Sequence, residues 1–257
     1  MVIRDESIFN KLVGLAQEQQ RYTHGVFNFP FGEIRYVDPL TLQIQYEEIF
    51  VQRLYDYLTD EDWPLILDCG GNIGMSVIRF RLEHPNSRII TFEADPSIAD
   101  VLRQNLSTMG MDDVEIVEAA VWDSNGNAKF EVEGAEGGRL HHSGQIDVST
   151  IRLADHITEN VDMLKLDIEG AEWKVLMDLG QQGVLQRIKH IIIEFHGTRE
   201  NSRLFGDILS MLTHNNFSFT FPWSFCEPDL AGVSEPTPFP YAKDAKFILF
   251  LHAWRND

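Results

Sequence analysis

Apolar positions near the start of the chain recur at helical spacing: Ile8, Leu12, Leu15 and Ala16 share one face. A Phe- and Gly-rich break is expected over Phe27–Gly32, then an extended piece from Glu33 to Val37. A second helical pattern runs from Leu42 to Leu58 through Ile44, Phe50 and Leu54. Residues 1–60 therefore form an N-terminal helical extension in this reading, ahead of a domain over residues 61–257.

From Leu65 the rhythm becomes strand, turn, helix. Leu65–Asp68 is a short apolar strand, and Met75, Ile78 and Leu82 mark a helix that stops before Pro85. Arg88–Glu93 is the next strand, and Asp95-Pro96 opens a helix with an N-cap acid and a first-turn proline. Val114–Val121 is a third strand, and Asn125-Gly126 signals a hairpin from Val121-Trp122 to Phe130–Val132. Residues 134–145 read as an exposed loop carrying His141 and His142. Asp162–Asp167 and His190–Phe195 are strands, with helices at Glu172–Leu179 and through Leu204, Ile208, Met211 and Leu212. Two late strands, Phe217–Phe221 and Phe247–His252, flank a proline-rich loop, Pro222–Ala245. Alternating strands and helices predict an α/β, Rossmann-like domain: a mostly parallel sheet, helices on both faces, and one antiparallel strand near the end.

Composition narrows the functional classes. The 257 residues carry 40 acids against 21 basic residues, a formal charge of −19, which disfavours nucleic-acid and membrane-surface partners. Two cysteines make no disulfide framework, the first residues are acidic where a signal peptide is basic, and no apolar run reaches the ~18 residues of a membrane helix. A cytoplasmic protein acting on a small molecule is expected; oligomeric state is not legible.

The most informative stretch is Leu67-Asp68-Cys69-Gly70-Gly71-Asn72-Ile73-Gly74, which joins a strand to a helix where open α/β sheets bind nucleotides. A dinucleotide fingerprint counted from Gly70 fails at Asn72 and Met75, which weakens a nicotinamide-dependent oxidoreductase. Asp68 suits a cationic ligand such as S-adenosylmethionine, either accepting from its ammonium group or organising the turn. Glu93, at the end of the second strand and followed by Ala94, can accept both ribose hydroxyls.

With Thr91-Phe92-Glu93-Ala94-Asp95-Pro96, the Leu164–Glu172 run Leu-Lys-Leu-Asp-Ile-Glu-Gly-Ala-Glu, and Ile192-Ile193-Glu194-Phe195-His196, this turn resembles the FkbM family of methyltransferases. Gly71 stands where the family usually has alanine, and Ala154 breaks a usual Leu-Asp pairing with Asp155. The resemblance implies a class I methyltransferase fold with a seven-stranded sheet, S-adenosylmethionine as cofactor, and O-methylation of a sugar, polyketide or similar metabolite. Asp68, Gly70, Gly71, Asn72, Gly74, Glu93, Ala94, Ala120 and Asp167 are the expected cofactor contacts, Ala120 bordering the adenine.

An alcohol acceptor benefits from a base, and strand-end groups are placed to supply one. Asp167 ends the fourth strand, and Glu194 and His196 end the fifth on one side of it. His196 is the expected base, neutral at pH 7; a divalent ion on Asp167, Glu194 and His196 ranks second. Lys165, inside an apolar strand, should pair with Glu194 or Asp167, and Glu172 should favour a helix N-terminus. A non-catalytic cofactor-binding module is the remaining rival. The extension and the Pro222–Ala245 loop, with Trp223, Phe225, Phe239 and Tyr241, should cover the acceptor.

Overall fold

The computed structural model describes residues 6–135, 137–198, 201–222, 224–226 and 246–255. The extension comprises helix α1 (Glu6–Glu18), a hairpin of β1 (Gly25–Phe29) and β2 (Gly32–Tyr36), and helix α2 (Pro39–Tyr46). The expected break over Phe27–Gly32 is instead this hairpin. Asp38 caps α2, accepting from Thr41 N at 2.8 Å, with Pro39 in the first turn. The helix expected to reach Leu58 ends earlier. A widened turn at Glu47–Val51, closed by Gln52 N onto Glu47 O, follows α2, and left-handed Arg53 stops it. Leu54 and Tyr55 are thereby turned inward, while Leu58 is exposed.

The domain follows in order as β3 (Leu65–Cys69), α3 (Met75–Glu83), β4 (Arg88–Glu93), α4 (Pro96–Thr108), β5 (Glu115–Glu118), β6 (Ala120–Trp122), β7 (Gly126–Glu131), β8 (Arg139–Leu140) and β9 (Ile146–Arg152). Then come α5 (Leu153–His156), β10 (Val161–Leu166), α6 (Glu172–Gln181), β11 (Ile188–Thr198), α7 (Leu204–His214), β12 (Phe217–Thr220), β13 (Ser224–Cys226) and β14 (Lys246–Arg255).

The main sheet runs β12-β14-β11-β10-β3-β4-β5, with β13 pairing onto β14. Only β14 in that path opposes its neighbours, so the mostly parallel sheet with one antiparallel strand is as expected. This is the class I methyltransferase arrangement of a Rossmann-like fold. Every residue of β3, and every residue of β10 but Asp162, is buried, because helices and the extension cover both faces. Ile8, Leu12, Phe29, Ile34 and Phe50 of the extension share one apolar core with Ile66, Met163 and Phe250 of the sheet. Among the described residues, no helix is long and apolar enough to cross a membrane.

The third strand and its hairpin are corrected. Val114–Val121 divides into β5, in the main sheet, and β6, in a second sheet ordered β6-β9-β7-β8. β6 and β7 do not pair with each other; Thr150 of β9 lies opposite both Ala120 and Gly126. A two-residue hairpin turn needs positive φ at its first central residue, and in type I′ at both, and neither Asn125 nor Gly126 has it. Asn125 instead accepts from Arg152 N and donates to Asp155, both at 2.8 Å. The 134–145 loop holds β8 and buries Ala135. His142 is exposed, its ring tilted against that of His141. The proline-rich loop expected over Pro222–Ala245 lies, beyond Pro222 and β13, outside the described residues, and so do the aromatic side chains proposed for its lid.

Candidate active site

Gly70 follows β3 with φ +87°, and a Cβ there would stand 1.8 Å from Asp167 O, so only glycine fits between β3 and β10. Gly70 N and Gly71 N both donate to Phe92 O, at 3.0 and 2.9 Å, and Lys165 Nζ donates to Gly70 O at 2.7 Å. A Cβ on Gly71 would lie 2.2 Å from Thr91 Oγ1, which accounts for glycine in place of alanine beside a threonine. Asn72, left-handed at φ 45°, donates its N–H to Glu93 Oε2 at 2.9 Å and its amide to Ala135 O at 2.9 Å. Glu93 Oε1 accepts from Asp95 N at 2.9 Å. Burial pushes the Glu93 carboxyl up to about 7 although backbone N–H donors at Asp95, Asn72 and Ala94 pull it down.

A cleft of about 1050 Å³ opens at the carboxyl ends of β3, β4, β10 and β11. Small-molecule sites run to ~300–1,000 Å³, so this cleft lies at the top of that range. Gly70, Gly71, Asn72, Glu93, Ala94 and Ala120 line one end. Asp167, Glu194 and His196 line the other, facing Glu48, Ile49 and Tyr55 of the extension. Ala120 does so from β6 rather than from the end of the third strand.

Two expected cofactor contacts lie behind the wall. Asp68 is fully buried; its Oδ2 accepts from Ser76 Oγ at 2.9 Å and Thr91 Oγ1 at 3.0 Å, and its Oδ1 is 3.4 Å from Lys165 Nζ. It organises the turn rather than facing a ligand. Gly74 caps α3, and a Cβ there would meet Leu102 at 2.9 Å, so its smallness serves packing.

The acceptor end is a cluster of acids around Lys165 and His196. Lys165 pairs with Asp167 at 3.3 Å, as expected, and with Asp68 in the place expected of Glu194. Burial opposes its charge, yet Asp68, Asp167 and Glu194 hold it protonated above its ordinary range. Tyr55, buried beneath the Lys165 ammonium, directs its hydroxyl to Asp167 Oδ2 at 3.2 Å and Glu194 Oε2 at 3.5 Å. Burial and then Asp167 raise the Glu194 carboxyl well above its ordinary range.

His196 lies inside β11, two residues short of its end. Its Nδ1 is 3.1 Å from Glu172 Oε1, and its Nε2 is 3.7 Å from Glu169 Oε2 and 3.6 Å from Glu194 Oε1. Burial alone lowers an imidazole, but these three carboxylates outweigh it and hold His196 protonated well above its ordinary range. The expectation of a neutral histidine at pH 7 is corrected on that ground. Glu172 opens α6 as expected, and its Oε1 also accepts from Ile168 N and Gly170 N at 3.0 Å. It thus holds the turn that presents left-handed Glu169. Ligand atoms of Asp167, Glu169 and His196 lie within 4.8 Å of one another, so Glu169, where Glu194 was expected, completes the group of three whose donor atoms are close enough to hold one ion.

Tyr55, Glu169 and Glu172 complete the site without having been assigned to it. The Leu164–Glu172 run contains both glutamates, while nothing in the local pattern around Tyr55 marks it.

A family model described as the methyltransferase FkbM domain matches residues 68–219. Methyltransferase sdnD of Sordaria araneosa is 24% identical over 233 residues, covering 75% of this chain and 88% of its own length. The 2-O-methyltransferase NoeI of Sinorhizobium fredii is 27% identical, covering 56% and 68% respectively. The 31-O-demethyl-FK506 methyltransferase FkbM of Streptomyces tacrolimicus is 25% identical, covering 72% and 85%.

Proposed function

The chain belongs to the FkbM methyltransferase domain family, and from that premise we propose that it transfers the methyl group of S-adenosylmethionine to a hydroxyl of a small-metabolite acceptor. The observation that carries the reading is one continuous cleft with a buried, ribose-competent carboxylate at one end and an acid–histidine cluster at the other. The residues fit the cofactor: Glu93 Oε2 accepts from Asn72 N and Oε1 from Asp95 N, and a carboxylate with about four acceptor sites keeps capacity beyond its backbone donors for a ribose hydroxyl. The surplus of carboxylates beyond Gly70 complements a sulfonium and an ammonium. A nicotinamide reading is weaker, since Asn72 and Met75 break the pyrophosphate fingerprint and the relatives named above are methyltransferases.

When bound, S-adenosylmethionine supplies an electrophilic methyl carbon. The protein's own part is alignment and proton handling. Gly70 and Gly71 let backbone approach the cofactor, Ala120 leaves space for a flat base, and Asp167 marks the junction of the two ligands. The extension, residues 1–60, covers the acceptor through Ile49 and Tyr55. With His196 protonated, the acceptor proton passes to a carboxylate of the cluster, and His196 and Tyr55 keep that carboxylate and the hydroxyl in register. Natural-product hydroxyls are the acceptor class that the relatives suggest.

The decisive experiment is formation of S-adenosylhomocysteine and methylated product with candidate polyol and polyketide acceptors. Absence of turnover together with absence of cofactor binding would reject the reading.

Glu93→Ala is expected to weaken S-adenosylmethionine binding by the ~1.5–3 kcal/mol of a hydrogen bond to a charged group, roughly ten- to a hundred-fold, in calorimetry. The pH dependence has a definite sign. The raised Glu93 carboxyl binds its proton below about 7, and only the ionised form can accept from both hydroxyls. Affinity should fall as pH drops through that value, and the dependence should vanish in Glu93→Ala.

A further inference from the structure

The geometry points to a divalent-cation site at the acceptor end of the cleft, made by Asp167, Glu169 and His196 with Glu172 as the residue that positions the imidazole. Its use in methyl transfer rests on the function proposed above; the binding itself does not.

One ligand atom from each of the three residues lies within 4.8 Å of the others. The 3.7 Å from His196 Nε2 to Glu169 Oε2 is too long for a hydrogen bond. It lies between the cis and trans separations of two ligands on one octahedral ion with bonds of ~2.0–2.2 Å, so small side-chain rotations bring both atoms onto one ion. The three side chains are only 19–24% exposed, held at the cleft wall rather than in solvent.

Two further observations point the same way. Glu172, fully buried, takes His196 Nδ1 at 3.1 Å and so leaves Nε2 as the atom facing the acids. That is the carboxylate–histidine arrangement that orients metal-ligating imidazoles. Glu194, nine-tenths buried, brings Oε1 to 3.6 Å from the same Nε2, and among the described residues that oxygen accepts no hydrogen bond. Asp68, Asp167, Glu169, Glu172 and Glu194 thus converge on Lys165 and one histidine.

The donor set, two carboxylates and one imidazole, suits Mg²⁺ or Mn²⁺ rather than a thiophilic ion. The ion binds in place of the Nε2 proton, so the imidazolium of the ion-free cluster gives way to a neutral, ligating imidazole. Three protein ligands then leave positions open for an acceptor oxygen, whose hydroxyl pKa the ion would lower.

The test uses Mn²⁺ alone, without cofactor or acceptor, on the full chain. Titration followed by electron paramagnetic resonance should give one saturable ion per chain, with nitrogen coupling from an imidazole in the pulsed spectrum. Glu169→Gln and His196→Ala should each weaken binding at least tenfold, and His196→Ala should remove the nitrogen signal. Glu172→Gln should weaken it by the ~10–100-fold typical of an outer carboxylate, with the nitrogen coupling altered. Thermal melting checks that the variants remain folded. No saturable site in the parent chain, no nitrogen coupling, or unchanged affinity in folded Glu169→Gln and His196→Ala would overturn the inference. Cofactor binding is measured separately by calorimetry, so failure of the methyl-transfer reading and failure of the ion site are read from different experiments.

Discussion

His196→Ala is expected to lower kcat for methyl transfer by ~10²-fold, the lower end of what a proton-accepting group contributes, because the accepting carboxylate loses the imidazole that holds it in register, with S-adenosylmethionine affinity nearly unchanged. The reason lies in where the side chain stands. His196 lines the acceptor end of the cleft, while the cofactor end is built on Gly70, Asn72 and Glu93 from β3, β4 and the turn between β3 and α3. Its loss removes the imidazole that faces Glu169, Glu172 and Glu194 and leaves the three acids without their common partner. Single-turnover rates with saturating cofactor separate this from a binding defect. A variant with parental kcat would remove His196 from the reaction. A large rise in the cofactor's Kd would show instead that the cleft's two ends are not separable in function.

The second large effect is on stability. Lys165→Met should destabilise the protein by ~3–5 kcal/mol, the cost of breaking a buried ion pair by removing one partner. For a chain of this size that corresponds to a melting temperature lower by ~10 °C. Lys165 is almost wholly buried and stands between Asp68 at 3.4 Å and Asp167 at 3.3 Å. It also supplies the 2.7 Å hydrogen bond to Gly70 O that ties the glycine turn to β10. Methionine fills the space but leaves both carboxylates without a counter-charge. Adding Asp68→Asn to Lys165→Met should recover part of the loss, since one stranded charge is then removed. Differential scanning calorimetry decides it, and a melting temperature within ~1 °C of the parent would show that the lysine contributes nothing net.

Much of the sheet was legible because β-strands buried on both faces are nearly continuous apolar runs. Leu65–Asp68, Arg88–Glu93 and Asp162–Asp167 were located to within about a residue by that signal. Asp95-Pro96 marked a helix start through local capping, which depends only on neighbouring residues. The same locality failed at Asn125-Gly126. A turn-forming pair states what the backbone can do, whereas β9, from Ile146 onward, took both neighbouring strands as partners. The helix expected to run to Leu58 failed likewise: apolar spacing cannot register a widened turn and a left-handed Arg53 that swing Tyr55 under the sheet.

What the sequence by itself determined is the class of protein and the place of its chemistry. Glycines between a strand and a helix, an acid closing the next strand, and acids and a histidine after the fourth and fifth lie where α/β sheets put ligands, because strand order and side-chain alternation are short-range consequences of the chain. What only the tertiary structure decided is the state and company of those groups. Asp68 and Lys165 are neighbours in register across β3 and β10, which turns an expected ligand contact into a buried structural pair. His196 meets Glu172, Glu169 and Glu194 from two separate segments, and their combined field, not the histidine's own chemistry, sets its charge. Electrostatic energies depend on distance through space and on burial, and neither is written in the order of residues along the chain.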